Sequence, residues 1–168
     1  ETLPARLYSA PEVYEAERRN IFGKSWLLVA HESQVGKQGE YVATAAAGYP
    51  IIVVRGENNA IRAFHNVCRH RAGPLADDGM GKCEGHLVCR YHGWRYALDG
   101  RLAAARDFGP AAGFDPREYS LLPLKCESWR GFIFVNMNES AEPLSQTIAP
   151  LIEKTAHINL EALRFERQ

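Results

Sequence analysis

The 168 residues carry 20 Lys and Arg against 20 Asp and Glu, a formal net charge of zero, so no global field recruits nucleic acid or a membrane surface. At 46% hydrophobic the chain is apolar enough for one packed domain with appendages, and it holds no run of about 18 apolar residues that would span a bilayer. The four cysteines are read as thiols of a reducing, cytoplasmic setting rather than as two disulfides, and Glu1 opens no visible secretory leader.

In chain order, Ser9-Ala10-Pro11-Glu12 predicts a helix start, with Ser9 as cap and Glu12 completing a capping box. Val13, Tyr14, Ile21 and Phe22 give this helix an apolar side, and Gly23 stops it. From Trp26 the pattern becomes strand-like. Trp26 to Ala30, Tyr41 to Ala43 and the β-branched run Ile51 to Val54 read as strands. Glu57-Asn58-Asn59 turns the chain into a strand from Ile61 to Phe64 that leads to Cys68. Trp94 to Leu98 runs into Asp99-Gly100, a strong hairpin signal, and returns over Arg101 to Ala103. Ala104 to Ser120, with two Gly and two Pro, reads as a long loop. Leu121 to Cys126 and Gly131 to Val135 form a further hairpin, Pro143 to Glu153 a helix, and Asn159 to Phe165 the start of another strand. The sum predicts a mainly β chain: an antiparallel β-sandwich with an N-terminal helix and a C-terminal α/β extension. Its divisions are a helical segment over 1–24, a metal-binding domain over 25–138, and the start of a linker or catalytic domain over 139–168.

The chain is organised around the stretch from Cys68 to Trp94. It holds two short pairs, Cys68-Arg69-His70 and Cys89-Arg90-Tyr91-His92, with 18 residues between them. Two soft sulfurs and two imidazoles suit zinc or iron–sulfur chemistry rather than calcium or magnesium. Two readings of these four candidate ligands stand on the residues alone. One is a tetrahedral zinc site stabilising a structural module. The other is a [2Fe–2S] cluster with two Cys on one iron and two His on the other, each loop giving one ligand to each iron. Zinc motifs usually separate a Cys pair from a His pair, whereas here each pair is mixed. Gly73-Pro74 and Gly93 allow tight turns whose backbone N–H groups point at sulfur. His31, His65, His86 and His157 read as structural or solvent-facing, and Cys83 and Cys126 as ordinary thiols. Tyr91 and Trp94 are expected to shield the centre. Arg69, Arg71, Arg90 and Arg95 read as a basic rim suited to an acidic electron donor.

The wording FHNVCRHRAGPL and CRYHGWRYALDGRL resembles the Rieske domain of the ring-hydroxylating, non-haem iron oxygenase large subunits, over most of the chain from about Tyr8 to about Asn138. Arg90 stands where many members have Pro. Gly73 and Tyr91 stand where the respiratory type carries an extra disulfide, which favours the oxygenase-like branch. The resemblance implies a [2Fe–2S] cluster on Cys68, His70, Cys89 and His92, working near the low end of roughly −150 to +300 mV. It implies electrons arriving from a ferredoxin or flavin reductase and leaving, through His70 or His92, toward a carboxylate of the catalytic domain of the same or a neighbouring subunit in a homotrimer. That domain would hold a mononuclear Fe(II) on a facial triad. No such triad follows Cys89 here, so the chain itself is expected to transfer electrons only. An aromatic substrate is the broad expectation for the parent enzyme. A quaternary-amine monooxygenase and a free-standing Rieske ferredoxin are the alternatives.

Overall fold

The computed structural model describes residues 2–106 and 112–166. Two helices open the chain, α1 (Arg6–Ser9) and α2 (Pro11–Asn20). Ten strands follow: β1 (Leu27–His31), β2 (Glu40–Ala46), β3 (Tyr49–Arg55), β4 (Ile61–His65), β5 (Gly79–Lys82), β6 (His86–Val88), β7 (Arg95–Ala97), β8 (Leu102–Ala104), β9 (Pro123–Trp129) and β10 (Phe132–Asn136). Two short helices, α3 (Leu144–Thr147) and α4 (Ala149–Lys154), come last. All strand pairings are antiparallel. Seven strands form one sheet in the order β1-β10-β9-β4-β3-β2-β5, and β6-β7-β8 form a second. The expected mainly β, antiparallel class is what the structure has.

The run Ile51-Ile52-Val53-Val54 shows why the core has two halves. Successive side chains of a strand point to opposite faces. Ile52 and Val54 pack between the two sheets with Phe64, Leu87, Trp94, Tyr96 and the two cysteines Cys68 and Cys89. Ile51 and Val53 pack on the other face with Val42, Ala63, Ile133 and Val135. All four residues of the run are fully buried, each worth roughly 1.5–3 kcal/mol of apolar burial. A strand covered on both faces reads as a continuous apolar run. It also makes β3 the rigid centre on which the neighbouring strand β4 carries the first Cys/His pair.

Several expectations are corrected. Ser9 does not cap the long helix: it closes α1, and Ala10 is the residue before α2, with no side-chain cap. Pro11 at the first helical position and Glu12 in the first turn stabilise that end instead. The helix over 143–153 is broken at Ile148, where Pro150 supplies no N–H to continue the ladder. Asn159 to Phe165 is not a strand. It contains a 3-10 turn, Leu160–Ala162, because side-chain bonds from Arg130, not a ladder, hold the chain there. Strands β5 and β6, inside the Cys/His spacer, were not expected from the sequence. Part of the expected loop 104–120, residues 107–111, lies outside the described residues; the rest includes a 3-10 turn, Pro116–Tyr119, capped by Asp115.

Candidate metal centre

The two Cys/His pairs leave different sheets. Cys68 and His70 follow β4 of the large sheet, and Cys89 and His92 lie between β6 and β7 of the small one. The loops therefore do not project from one hairpin. They face each other across the seam between the sheets. Their backbones are nevertheless built alike. In the first, Cys68 N–H donates to Gly73 C=O at 2.8 Å and Ala72 N–H to Cys68 C=O at 3.0 Å. In the second, Cys89 N–H donates to Trp94 C=O at 2.9 Å and Gly93 N–H to Cys89 C=O at 2.9 Å. The fourth residue after each Cys is left-handed, Ala72 at φ 55° and Gly93 at φ 71°. The same closed turn thus presents one Cys and one His from each side.

Both thiols are buried, Cys68 at 3% and Cys89 at 2% exposure, and neither is in a disulfide. They are close enough for each to act on the other's charge. Burial pushes the Cys89 thiol up, opposed by the backbone N–H groups of Tyr91 and His92. Those amides favour the thiolate, the form that binds metal. The imidazoles pair as well, with the rings of His70 and His92 at 4.7 Å and 67°. Burial, then the neighbouring His92 and Arg71, hold His70 below the usual imidazole range, which favours the neutral, metal-binding form. Aromatic rings close the stack on both sides. Trp94, 1% exposed, lies parallel to His70 at 4.8 Å and 6° and meets Phe114 and Tyr119 edge-on. Tyr91 stacks on His92 at 3.9 Å and 28°. Trp94 is the buried shield expected from the sequence. Tyr91 covers its imidazole from outside, 64% exposed, and is not a core residue.

Two supporting residues escaped the sequence reading. Tyr96 is fully buried, its hydroxyl 3.2 Å from the Cys68 sulfur. Burial, then that sulfur, raises its pKa. Asn66 is 4% exposed and staples the first loop, accepting from the N–H groups of Leu75 and Ala76 and donating to Ala76 C=O at 2.8 Å. A polar residue at the end of an apolar strand, two positions before Cys68, was the available signal. The remaining candidates fall away from the centre. His65 meets Tyr49 edge-on, His31 caps the 3-10 turn Glu32–Val35, and His86 and His157 are exposed. The Cys83 thiol points to Gly39 C=O, and burial pushes the Cys126 thiol up to about 12. On the basic rim Arg90 is paired with Asp77 at 2.6 Å and Arg69 reaches Glu118 C=O at 3.4 Å.

The donor set fits a binuclear iron–sulfur cluster better than a single ion. Here sulfur meets sulfur and imidazole meets imidazole, the two-plus-two division that two bridged irons require.

Residues 25–115 match the Rieske [2Fe-2S] domain family. The chain is 38% identical over 153 residues to the carnitine monooxygenase oxygenase subunit of Acinetobacter baumannii, covering 91% of this chain and 41% of that protein. It is 37% identical over 164 residues to the glycine betaine monooxygenase oxygenase subunit of Chromohalobacter salexigens, covering 97% of this chain and 36% of that one. The crystal structure of a quaternary ammonium Rieske monooxygenase with L-carnitine superposes with a TM-score of 0.90 at 35% identity, covering 99% of this chain and 47% of that one. The chain thus spans about two fifths of the length of the curated relatives it matches. With more than half of its residues inside the family match and its thiols and imidazoles paired across two like-built loops, the chain belongs to the Rieske [2Fe-2S] domain family, whose cofactor is a [2Fe–2S] cluster.

Proposed function

We propose that Cys68 and Cys89 bind one iron of the cluster and His70 and His92 the other, and that the chain is the electron-transfer part of a Rieske non-haem iron oxygenase acting on a quaternary amine. The observation that carries the ligand assignment is the sulfur-to-sulfur and imidazole-to-imidazole pairing across the two loops. When bound, the cluster takes up and gives back one electron at a time. The residues of the chain hold it, bury its sulfur side and leave its imidazole side near the surface. Tyr96 and the amides of Tyr91 and His92 offer hydrogen bonds to sulfur, and Trp94 excludes water behind His70.

The carnitine and glycine betaine relatives support the quaternary-amine reading over the aromatic one. In this reading residues 25–138 are the cluster domain, 1–24 a helical lead-in and 139–168 the passage toward a catalytic domain that carries the mononuclear Fe(II). The donor is a reductase, with a flavin or through a ferredoxin; the working form is a homotrimer, and the setting is cytoplasmic. No helix among the described residues is long and apolar enough to cross a membrane.

Iron, acid-labile sulfide and low-temperature EPR of anaerobically purified protein test the cluster. Two irons and two sulfides per chain with a rhombic signal on reduction are expected, and one zinc without sulfide would remove the reading. Substrate-dependent oxygen uptake by the parent protein, with carnitine and betaine set against aromatic acids, tests the substrate class.

A further inference from the structure

The two Cys/His loops are tied to each other at two places. On the buried side Tyr96, on the strand that follows the second loop, reaches the Cys68 sulfur and accepts the Arg69 N–H of the first loop. The His70 ring there meets His92 and Trp94. On the solvent side the loops stand apart around an open cleft of about 340 Å³, which Asp77 lines from the first and Arg90 from the second. Across it Arg90 Nη1 donates to Asp77 Oδ2 at 2.6 Å. Among the described residues no other Arg–carboxylate pair joins the two loops.

The two ends of this pair are unlike. Asp77 follows Leu75 and Ala76, both buried, whose N–H groups are held by the buried Asn66. Its backbone is anchored and its side chain is short. Arg90 directly follows Cys89, so a restraint on Arg90 acts on a candidate ligand one residue away. With side chains 75% and 74% exposed, the pair adds little to the stability of the whole fold, in part because ordering two long side chains offsets the attraction. Here only the arginine end is long, and the bond is short and charge-assisted. Parting the loops is a local opening that breaks far fewer contacts than unfolding does. In that smaller event a single bond across the rim counts.

We propose that Arg90 and Asp77 form a strap across the two ligand loops, which keeps them from parting at the solvent side and so slows loss of the metal centre. Neither residue is a candidate ligand. Arg90 is a positioning residue for Cys89, and Asp77 is its anchor. The proposal rests on the assignment of Cys68, His70, Cys89 and His92 as ligands made above.

The test measures iron release from the cluster-loaded protein into anaerobic EDTA, followed by bleaching, at low and high salt, with urea unfolding of each variant alongside. Arg90→Gln and Asp77→Asn are each expected to speed release by about twofold to fivefold at low salt. The parent should release faster as salt is raised, because an exposed pair is screened, and the two variants should respond less. The double variant should be no faster than the faster single one, since both remove the same bond. Arg90→Lys, which keeps the charge, should stay near the parent, and the urea midpoints of all four should match it. EDTA is an anion, so a mere field effect on the chelator would drive Arg90→Gln and Asp77→Asn in opposite directions, and that result overturns the proposal. Single variants that release iron at the parent rate, or effects that add in the double variant, also overturn it. A fall in the urea midpoint that accounts for the faster release would make the pair an ordinary contact of the fold and overturns it as well. Failure of the underlying ligand assignment looks different: the parent protein then holds no iron and sulfide to release.

Discussion

The Tyr96 hydroxyl stands 3.2 Å from the Cys68 sulfur, and its oxygen receives the Arg69 N–H at 3.0 Å. With the oxygen already accepting, the hydroxyl proton is left to point at sulfur. Such a bond stabilises the extra negative charge of a reduced cluster and raises its potential. Tyr96→Phe keeps the ring and deletes the bond. It is expected to lower the midpoint potential by roughly 20–65 mV, the one-electron equivalent of about 0.5–1.5 kcal/mol. An EPR-monitored redox titration reads this directly, and an unchanged potential would show that the hydroxyl does not donate to Cys68.

Asn66 ties the base of the first loop with three hydrogen bonds, two of them from the N–H groups of Leu75 and Ala76. Its carboxamide is buried, so removing it leaves backbone groups without partners and no room for bulk water. Asn66→Ala is expected to cost about 2–4 kcal/mol and to make the loaded protein lose iron faster on dilution into chelator. Urea unfolding together with the rate of bleaching checks both. Loss of stability with unchanged iron retention would separate the staple from the centre.

Ala72 and Gly93 occupy the same left-handed position in the two loops, but only one is a glycine. An alanine at positive φ is strained, and a glycine there is not. Ala72→Gly should therefore be neutral or stabilising by up to about 1 kcal/mol, and Gly93→Ala should cost about 1–2 kcal/mol. Its added Cβ would also sit 3.6 Å from Arg106 Cδ, an ordinary contact, so the cost is conformational rather than steric. Thermal unfolding of the two variants side by side decides the matter: equal losses would contradict the like-built backbones.

The candidate centre was legible because its chemistry is written locally. Cys68, His70, Cys89 and His92 stand in two short motifs, and the Ile51–Val54 run announces a doubly covered strand at any distance from them. What lay outside the motifs depended on tertiary placement. Tyr96 looked like one apolar residue of a strand until the small sheet brought its hydroxyl to Cys68, 28 positions away. The spacer showed no strand pattern because β5 is the glycine-rich GMGK and β6 only three residues long, both made by pairing with neighbours. Ser9 failed as a cap because a capping motif says where a helix can start, and Pro11 decided where it did.

Arg130 decides how the last described segment is held. It sits at φ 51° in the turn between β9 and β10 and grips Glu161 with two bonds of 2.7 Å. It also donates to Thr155 C=O at 2.8 Å and to Ile158 C=O. One side chain thus gathers 155–161 against the sheet where no strand pairing does so. Arg130→Ala is expected to raise amide exchange through 155–163 and leave β9 and β10 protected. Glu161→Gln should do so more weakly, since the carbonyl bonds survive. The bond to Arg130 holds the Glu161 carboxyl below the usual carboxylate range. A depressed folded pKa means the contribution is fully present above that range and is lost as pH falls through the folded value. Protection of 155–161, corrected for intrinsic exchange, should be flat between about pH 6 and 8 and fall only in acid. An equal fall in Glu161→Gln would assign the acid sensitivity to other groups.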